Sequence, residues 1–319
     1  MKLLFIADPL DHFKIYKDST YAMMREAAAR GHELWACEPR RLSWRTGERV
    51  VAGAARIELT GDPDRWYTAD EPQSVALASF DAVLMRKDPP FDMEYFYATH
   101  LLEQAEREGA RIYNSARALR DHSEKLAVME FPEFIGPTLI SRDATEIREF
   151  HAQHRDVVLK PLDGMGGMGI FRVGPDGLNL GSIIETLNEG GARTIMVQRY
   201  LPEIVQGDKR VLVIGGEPVP YVLARIPQGS EIRGNLAAGG KGVAQPLDER
   251  DRETARAIGR VLAPRGLLLI GLDIIGDRVT EINVTSPTCF QEIAQQTGYD
   301  VARTFVEALE QAVRQASVG

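Results

Sequence analysis

The chain has 319 residues, a formal net charge of -8 from 38 basic and 46 acidic side chains, and 44% apolar content. These values suit a globular protein of two or three domains, and the acidic balance argues against non-specific binding to nucleic acid or anionic membranes. The only cysteines, Cys37 and Cys289, make no disulfide framework and fit a reducing cytoplasm, and the six histidines show no zinc-ligand spacing.

The apolar run opening MKLLFIADP is too short for a signal peptide and reads as a first strand, Lys2–Ala7. No stretch approaches the roughly twenty apolar residues that span a bilayer. Asp18-Ser19 caps a helix over Tyr21–Arg30 that Gly31 ends, and Glu33–Glu38 is a second strand. Residues 40–75 read as polar and irregular, with short β-like pieces such as Arg56–Thr60. A buried-type strand at Asp81–Arg86, a helix at Asp92–Glu108 and a short strand at Arg111–Asn114 follow. Strand and helix alternate, which implies a parallel sheet; no glycine fingerprint for a dinucleotide follows the first strand. A boundary falls near 115–123, where Asp121 and Glu124 have capping-box spacing and would open a helix carrying Lys125. Arg142–His154 and residues 180–189 are helical, while Asp156–Pro161, Ile170–Val173 and Thr194–Tyr200 are β. From Asp208 the pattern turns to long antiparallel strands, Arg210–Ile214 and Val219–Ile226, then a Gly-rich polar stretch at 227–242. A helix at Glu249–Leu262, a hairpin over Leu267–Ile275 and Val279–Val284, and a helix at Val301–Gln315 complete the chain. The fold class is thus α/β in the first part and α+β after it.

The hairpin carries the most specific chemistry. Asp273, Glu281 and Asn283 interrupt apolar strands, where an unpaired charge is costly. A two-residue turn pairs 273 with 280 and splits Asp273 from Glu281, because side chains alternate faces. A three-residue turn over 276–278 pairs 273 with 281 and gathers all three on one face, a hard-cation site for Mg²⁺ carried by phosphates. That register is expected here; the plainer reading is polar groups on a wet edge strand.

Gly164-Met-Gly166-Gly167-Met-Gly169 matches G-x-G-x-x-G in form, yet β residues follow it, so no helix N-terminus meets a pyrophosphate. No Gly-Lys-Ser/Thr string makes a P-loop either. A glycine loop between strands remains, whose backbone N–H groups can approach phosphate, or which is only a turn. Lys160, just upstream in VVLKP, favours the first reading, since such a lysine needs an anion. Lys125 alone would be a solvated helix residue, and Val197–Leu201 a core strand. Arg210 and Arg225 lie among apolar residues on neighbouring strands, which suits bidentate recognition of carboxylate or phosphate, or structural salt bridges. Arg233, Asn235 and Lys241 sit on a stretch resembling a mobile lid. Cys289 reads as a small buried hydrophobe.

The succession of strand lysine, glycine loop, arginine strands and D…E-x-N resembles the ATP-grasp fold. The strings LMRKDPPFD (84–92), LKPLDGMGG (159–167), GDKRVLV (207–213), YVLARIPQG (221–229), RGNLAAGG (233–240) and GLDIIGDRVTEINVTSPT (271–288) resemble the prokaryotic glutathione synthetase family over essentially the whole chain. The resemblance implies a pre-ATP-grasp α/β domain at 1–122, a small ATP-grasp subdomain at 123–201, and a C-terminal subdomain at 202–319 with a lid at 226–241. It implies a cytoplasmic, ATP-dependent carboxylate–amine ligase joining γ-glutamylcysteine to glycine through an acyl phosphate, with Mg²⁺ or Mn²⁺, as a homotetramer. Lys125 and Lys160 would contact ATP phosphates with Gly166 and Gly167 closing over them. Gln198, Tyr200 and Leu201 would line the adenine pocket, with Asp208 near the ribose. Asp273, Glu281 and Asn283 would hold the metal. Arg210 and Arg233 would be catalytic; Arg86, Arg210, Arg225, Asn235, Ser286 and Thr288 would face the substrates. Lys241 stands where the family pattern leads one to expect arginine, which keeps charge but loses the planar fork. A different ligase of the same fold, or an ATP-binding regulator without turnover, are the rival readings.

Overall fold

The computed structural model describes residues 1–316. The first sheet has parallel strands in the spatial order Glu33–Cys37, Lys2–Ile6, Ala82–Met85 and Ile112–Tyr113. Their runs are buried on both faces, as parallel strands under helices must be. The interval expected to be irregular is about half β: Val51–Leu59 pairs antiparallel with Glu33–Cys37 and itself carries Leu42–Ser43, Tyr67–Ala69 and Gln73–Ala76. Its inward side chains are Ala52, Ala54 and Ile57, so small residues hid the alternation. Helix Ser19–Ala29 starts where Asp18 accepts from the Tyr21 amide at 2.7 Å, and helix Met93–Arg107 where Asp92 does the same for Tyr95.

The capping box at 121/124 does not exist. Helix Ala116–Asp121 ends at residue 121, and Lys125 lies in the turn before a 3₁₀ segment, Ala127–Glu130. The Glu124 carboxylate instead accepts from the Val284 and Thr285 amides, each at 3.2 Å, and from the Thr285 hydroxyl at 2.7 Å. A tertiary partner outcompeted the local one.

The second sheet is antiparallel, in the order Phe171–Val173, Val157–Pro161, Ile195–Arg199, Thr138–Ser141, the last strand unanticipated. Helices Ala144–His154 and Leu180–Asn188 cover it and enclose a small core of Ile147, Val157, Leu159, Val173, Ile184, Ile195 and Val197. The third sheet, also antiparallel, runs Lys241–Pro246, Glu217–Ile226, Asp208–Ile214, Leu269–Ile275, Arg278–Asn283. Its Val211 and Val213 share a core with Ile258 and Leu262 of helix Glu249–Leu262. On the opposite face Leu212, Ile214 and Leu223 pack with helices Phe290–Thr297 and Val301–Ala316 and with Met23 and Met24 of the first domain. Helix Phe290–Thr297 was not read from the sequence, because it opens after Cys289 at φ +86 with no side-chain cap.

The two large cores run continuously from the first sheet into the third. Asn114 stitches them: its amide donates to the carbonyls of Leu269 and Val284 at 2.7 and 2.8 Å, and its oxygen accepts from the Leu269 amide at 3.0 Å.

Candidate active site

The hairpin reaches the expected pairing by an unexpected route. Its turn is the two-residue Gly276-Asp277, with Ile275 opposite Arg278 and Ile274 opposite Val279. Thr280 is then left as a bulge, which shifts the register so that Asp273 faces Glu281 and Gly271 faces Asn283. The Thr280 hydroxyl donates to the Asp273 carbonyl at 3.2 Å. Asp273, Glu281 and Asn283 therefore share one face, although the three-residue turn proposed to bring them together is absent.

Two carboxylates directly opposite each other repel, so cations surround them. Arg210, beside Asp273 in register, donates to it through Nε at 2.6 Å and Nη2 at 3.3 Å. Arg225 reaches Asp273 at 2.9 Å and also pairs with Asp208. All four are nearly inaccessible. Burial alone would raise the Asp273 carboxyl, but Arg210 and Arg225 outweigh it and hold it well below the usual carboxylate range. Asp208 lacks that double pairing: burial, with Asp273 adding to it against the pull of Arg225, pushes it up to about 6, and its Oδ1 is buried without a partner among the described residues. The structural salt bridge left open for Arg210 and Arg225 is what this state contains. Lys125 serves Glu281 at 3.3 Å and donates to the Gly164 carbonyl at 2.6 Å.

The second sheet forms the opposite wall. Lys160 is buried, and among the described residues its ammonium donates only to the Thr280 carbonyl, at 3.3 Å. Desolvation lowers its pKa, and Glu281 offsets only part of that. The glycine loop bends through positive φ at Gly166, Gly167 and Gly169. A Cβ on Gly167 would lie 2.8 Å from Asn235 Oδ1 and 3.1 Å from Arg233 Cδ, because the lid stretch rests on the loop. Arg233 donates to the Gly167 carbonyl at 3.2 Å and pairs with Glu231. Gln198, Tyr200 and Leu201 line the same cleft of about 320 Å³, with Gln198 bonded to Thr138 and the Arg172 guanidinium 3.6 Å over the Tyr200 ring.

Of the residues named from sequence, Lys125, Lys160, Gly166, Gly167, Gln198, Tyr200, Leu201, Asp208, Arg210, Arg225, Arg233, Asn235, Asp273, Glu281, Asn283, Ser286 and Thr288 all line this cleft. Two do not. Lys241 opens a strand opposite Ile226, outside the cleft lining. Arg86 lies in a neighbouring cavity. Two acidic lining residues were missed: Glu124, hidden by the capping-box reading, and Asp88, whose Oδ1 accepts from the Ser286 hydroxyl. Asp88 was findable, since it follows a parallel strand at its carboxyl end, where α/β sheets bind ligands.

Two family models account for nearly the whole chain: prokaryotic glutathione synthetase, N-terminal domain, over residues 1–120, and its ATP-grasp domain over 124–298. The chain belongs to the prokaryotic glutathione synthetase family. It is 61% identical to the glutathione synthetase of Ralstonia nicotianae over 319 residues, all of this chain and 98% of that one. Identity to the Nitrosomonas europaea glutathione synthetase is 57%, over 98% of both chains. Among solved structures, the D-cycloserine synthetase DcsG aligns with TM-score 0.68 at 15% identity, covering 98% of this chain and 100% of that one. The ATP-grasp ligase PsnB with minimal precursor, Mg and ADP aligns with TM-score 0.63 at 21% identity, over 98% and 97%. These last two establish the ATP-grasp fold. As a member of this family the chain is an ATP-dependent ligase, and it works with a divalent metal ion. The donors suit a hard cation: carboxylates Asp273 and Glu281 with the Asn283 amide oxygen lie on one face of the cleft. Among the described residues no three His, Cys, Asp or Glu gather as a metal cluster, consistent with a set that has only two carboxylates. Among the same residues no helix is long and apolar enough to cross a membrane.

Proposed function

We propose that this cleft joins γ-glutamylcysteine to glycine by way of an acyl phosphate. A carboxylate is a poor electrophile, so the cysteinyl carboxylate first attacks the γ-phosphorus of ATP and ADP leaves; the glycine amine then displaces phosphate. The single observation that carries the reading is the facing of two walls. Lys160 and the glycine loop, on one side, suit polyphosphate, while Asp273, Glu281 and Asn283 oppose them. Lys125 and Lys160 neutralise the transferring phosphoryl group, and Gly166 and Gly167 bring backbone amides to it. Gln198, Tyr200 and Leu201 take the adenine, with Asp208 toward the ribose. Asp273, Glu281 and Asn283 hold Mg²⁺, with Mn²⁺ as a substitute; when bound, the ion supplies charge neutralisation at the phosphates. Arg210, Arg225, Ser286 and Thr288 orient substrate carboxylates, Arg210 by exchanging part of its pairing with Asp273. Arg233 and Asn235 close the lid and exclude the water that would hydrolyse the acyl phosphate.

We further propose domains at 1–122, 123–201 and 202–319, a homotetramer, and a cytoplasmic location. The test is phosphate release from ATP with γ-glutamylcysteine, with and without glycine, under Mg²⁺ and under Mn²⁺. Release that needs both substrates and yields a product of glutathione mass is expected; tight ATP binding with no release would defeat the reading. Arg210→Ala should abolish ligation and leave ATP affinity nearly intact, and lost ATP binding would remove Arg210 from the substrate side.

A further inference from the structure

Strand Ile195–Arg199 is apolar and buried through Ile195, Met196 and Val197, and then carries a glutamine, Gln198, that is only 8% exposed. A buried amide must find partners for both its nitrogen and its oxygen, so its place in such a strand needs a reason. Across the sheet it stands directly opposite Thr138 on one side and Val158 on the other. Side chains opposite each other on adjacent strands share a face. Here that face is the cleft wall, because Val158, Lys160 and Gln198 all line the cleft.

The hydrogen bonds at Thr138 decide which end of the glutamine amide is left free. The Thr138 hydroxyl donates to the Gly136 carbonyl at 3.0 Å, and among the described residues no other group donates to that carbonyl. A hydroxyl has a single proton. With that proton committed, the Thr138 oxygen can only accept from Gln198, and it does so from Nε2 at 3.2 Å. The amide is therefore held with its nitrogen toward Thr138. Among the described residues nothing donates to Gln198 Oε1, and the buried side-chain oxygens left without a partner are those of Tyr95, Asn188, Asp208 and Glu292. Gln198 Oε1 is thus an accessible acceptor on the cleft wall.

Purine nucleotides differ at the atom that such an acceptor would meet. Adenine carries an amine at position 6, which donates; guanine and hypoxanthine carry an oxygen there, which accepts. Resting on the ligase reading above, we propose that Thr138 is a specificity-determining positioning residue, which selects adenine over 6-oxopurine nucleotides by fixing the Gln198 amide with its oxygen toward the base. Thr138 is not itself part of the cleft lining, so it acts through Gln198. An untethered glutamine could turn over and offer its nitrogen to a 6-oxo group, and would discriminate little. The threonine removes that choice, and a 6-oxopurine then meets the amide as two facing acceptors with no proton between them.

The test measures phosphate release by the whole enzyme with γ-glutamylcysteine and glycine on three nucleotides: ATP, inosine triphosphate, and purine riboside triphosphate, which has hydrogen in place of the amine. Wild type should favour ATP over inosine triphosphate by about 10–100-fold in kcat/KM, the range for one hydrogen bond exchanged for an unpaired acceptor. The purine riboside nucleotide should fall between them. Thr138→Val keeps the side-chain shape without the hydroxyl. It should bring ATP and inosine triphosphate close together, the first losing and the second gaining, through KM rather than kcat, while the purine riboside nucleotide changes least. Thr138→Ser should restore the wild-type preference. Equal losses on all three nucleotides would make Thr138 merely structural and overturn the assignment. An unaltered preference in Thr138→Val, or a wild type that uses ATP and inosine triphosphate alike, would overturn it too. Should Thr138→Val not fold, Thr138→Ala carries the same comparison. Failure of wild type to release phosphate from ATP at all would instead sink the ligase reading itself.

Discussion

The third and second sheets both bury charge at the cleft, but they treat it differently. On the third sheet the facing carboxylates are answered within the protein: Asp273 has Arg210 and Arg225, and Glu281 has Lys125. On the second sheet Lys160 is equally buried and, among the described residues, has only a carbonyl oxygen. One wall is settled before any ligand arrives, and its groups are held in place by each other. The other wall is left short of negative charge, and a polyphosphate would complete it. Fixed geometry and unmet electrostatic demand are thus assigned to separate sheets.

The strongest way to break this comparison is Asp273→Asn, which leaves two buried guanidiniums facing Asp208 alone. Stability should fall by about 3–5 kcal/mol, the usual loss when one partner of a buried ion pair is removed, and ligation should fall with it. Calorimetry and initial rates on the same sample check both; an unchanged melting temperature would mean that the third sheet is not internally settled. Lys160→Met should do the reverse. The proposed phosphate role predicts a loss of roughly 10²–10³ in kcat/KM, while the melting temperature holds or rises because a desolvated ammonium has been removed. A fall in melting temperature would show that Lys160 is structurally paired after all. Gly167→Ala is a smaller perturbation, since φ +84 and the 2.8 Å approach to Asn235 both oppose a Cβ. Strain of about 1–2 kcal/mol should displace the glycine loop and raise the KM for ATP by several-fold, as nucleotide titration would register.

The mildest test is a pH series on Asp208, the least satisfied acid of the third sheet. Its folded pKa, about 6, lies above the ordinary 3.8. Its contribution is therefore complete below pH 4 and is lost as pH rises through 6. The stability of wild type relative to Asp208→Asn should decline across that window and stay level above it. A difference that grows with pH would reverse the assigned direction.

Much of this was legible in the letters. The hairpin announced itself because carboxylates in apolar strands need a reason, and helix Glu249–Leu262 because its cap and amphipathic spacing agree. The Asp273–Glu281 pairing was read correctly for a wrong cause: turn length can be guessed from sequence, whereas the Thr280 bulge is decided by what the strand must meet. Helix Phe290–Thr297 was lost because its start rests on a left-handed Cys289 that no local rule favours. The capping box failed because Glu124 had a better offer 160 residues away, at Val284 and Thr285.

The Asn114 stitch has a consequence for how the molecule comes apart. It joins the first and third sheets across 155 and 170 residues of sequence separation, and their hydrophobic cores are continuous. The second sheet keeps a separate core under its own helices, and it reaches the shared one through Met196, with Ile140 and Leu162 packed against it. The chain is therefore divided, thermally, into the two ends together and the middle by itself, not into successive segments. Amides of Val157–Pro161 and Ile195–Arg199 should exchange with solvent through a partial opening that leaves those of Lys2–Ile6 and Leu269–Ile275 protected alike. Such an opening would swing away the wall that carries Lys160 while the ion-paired wall keeps its shape.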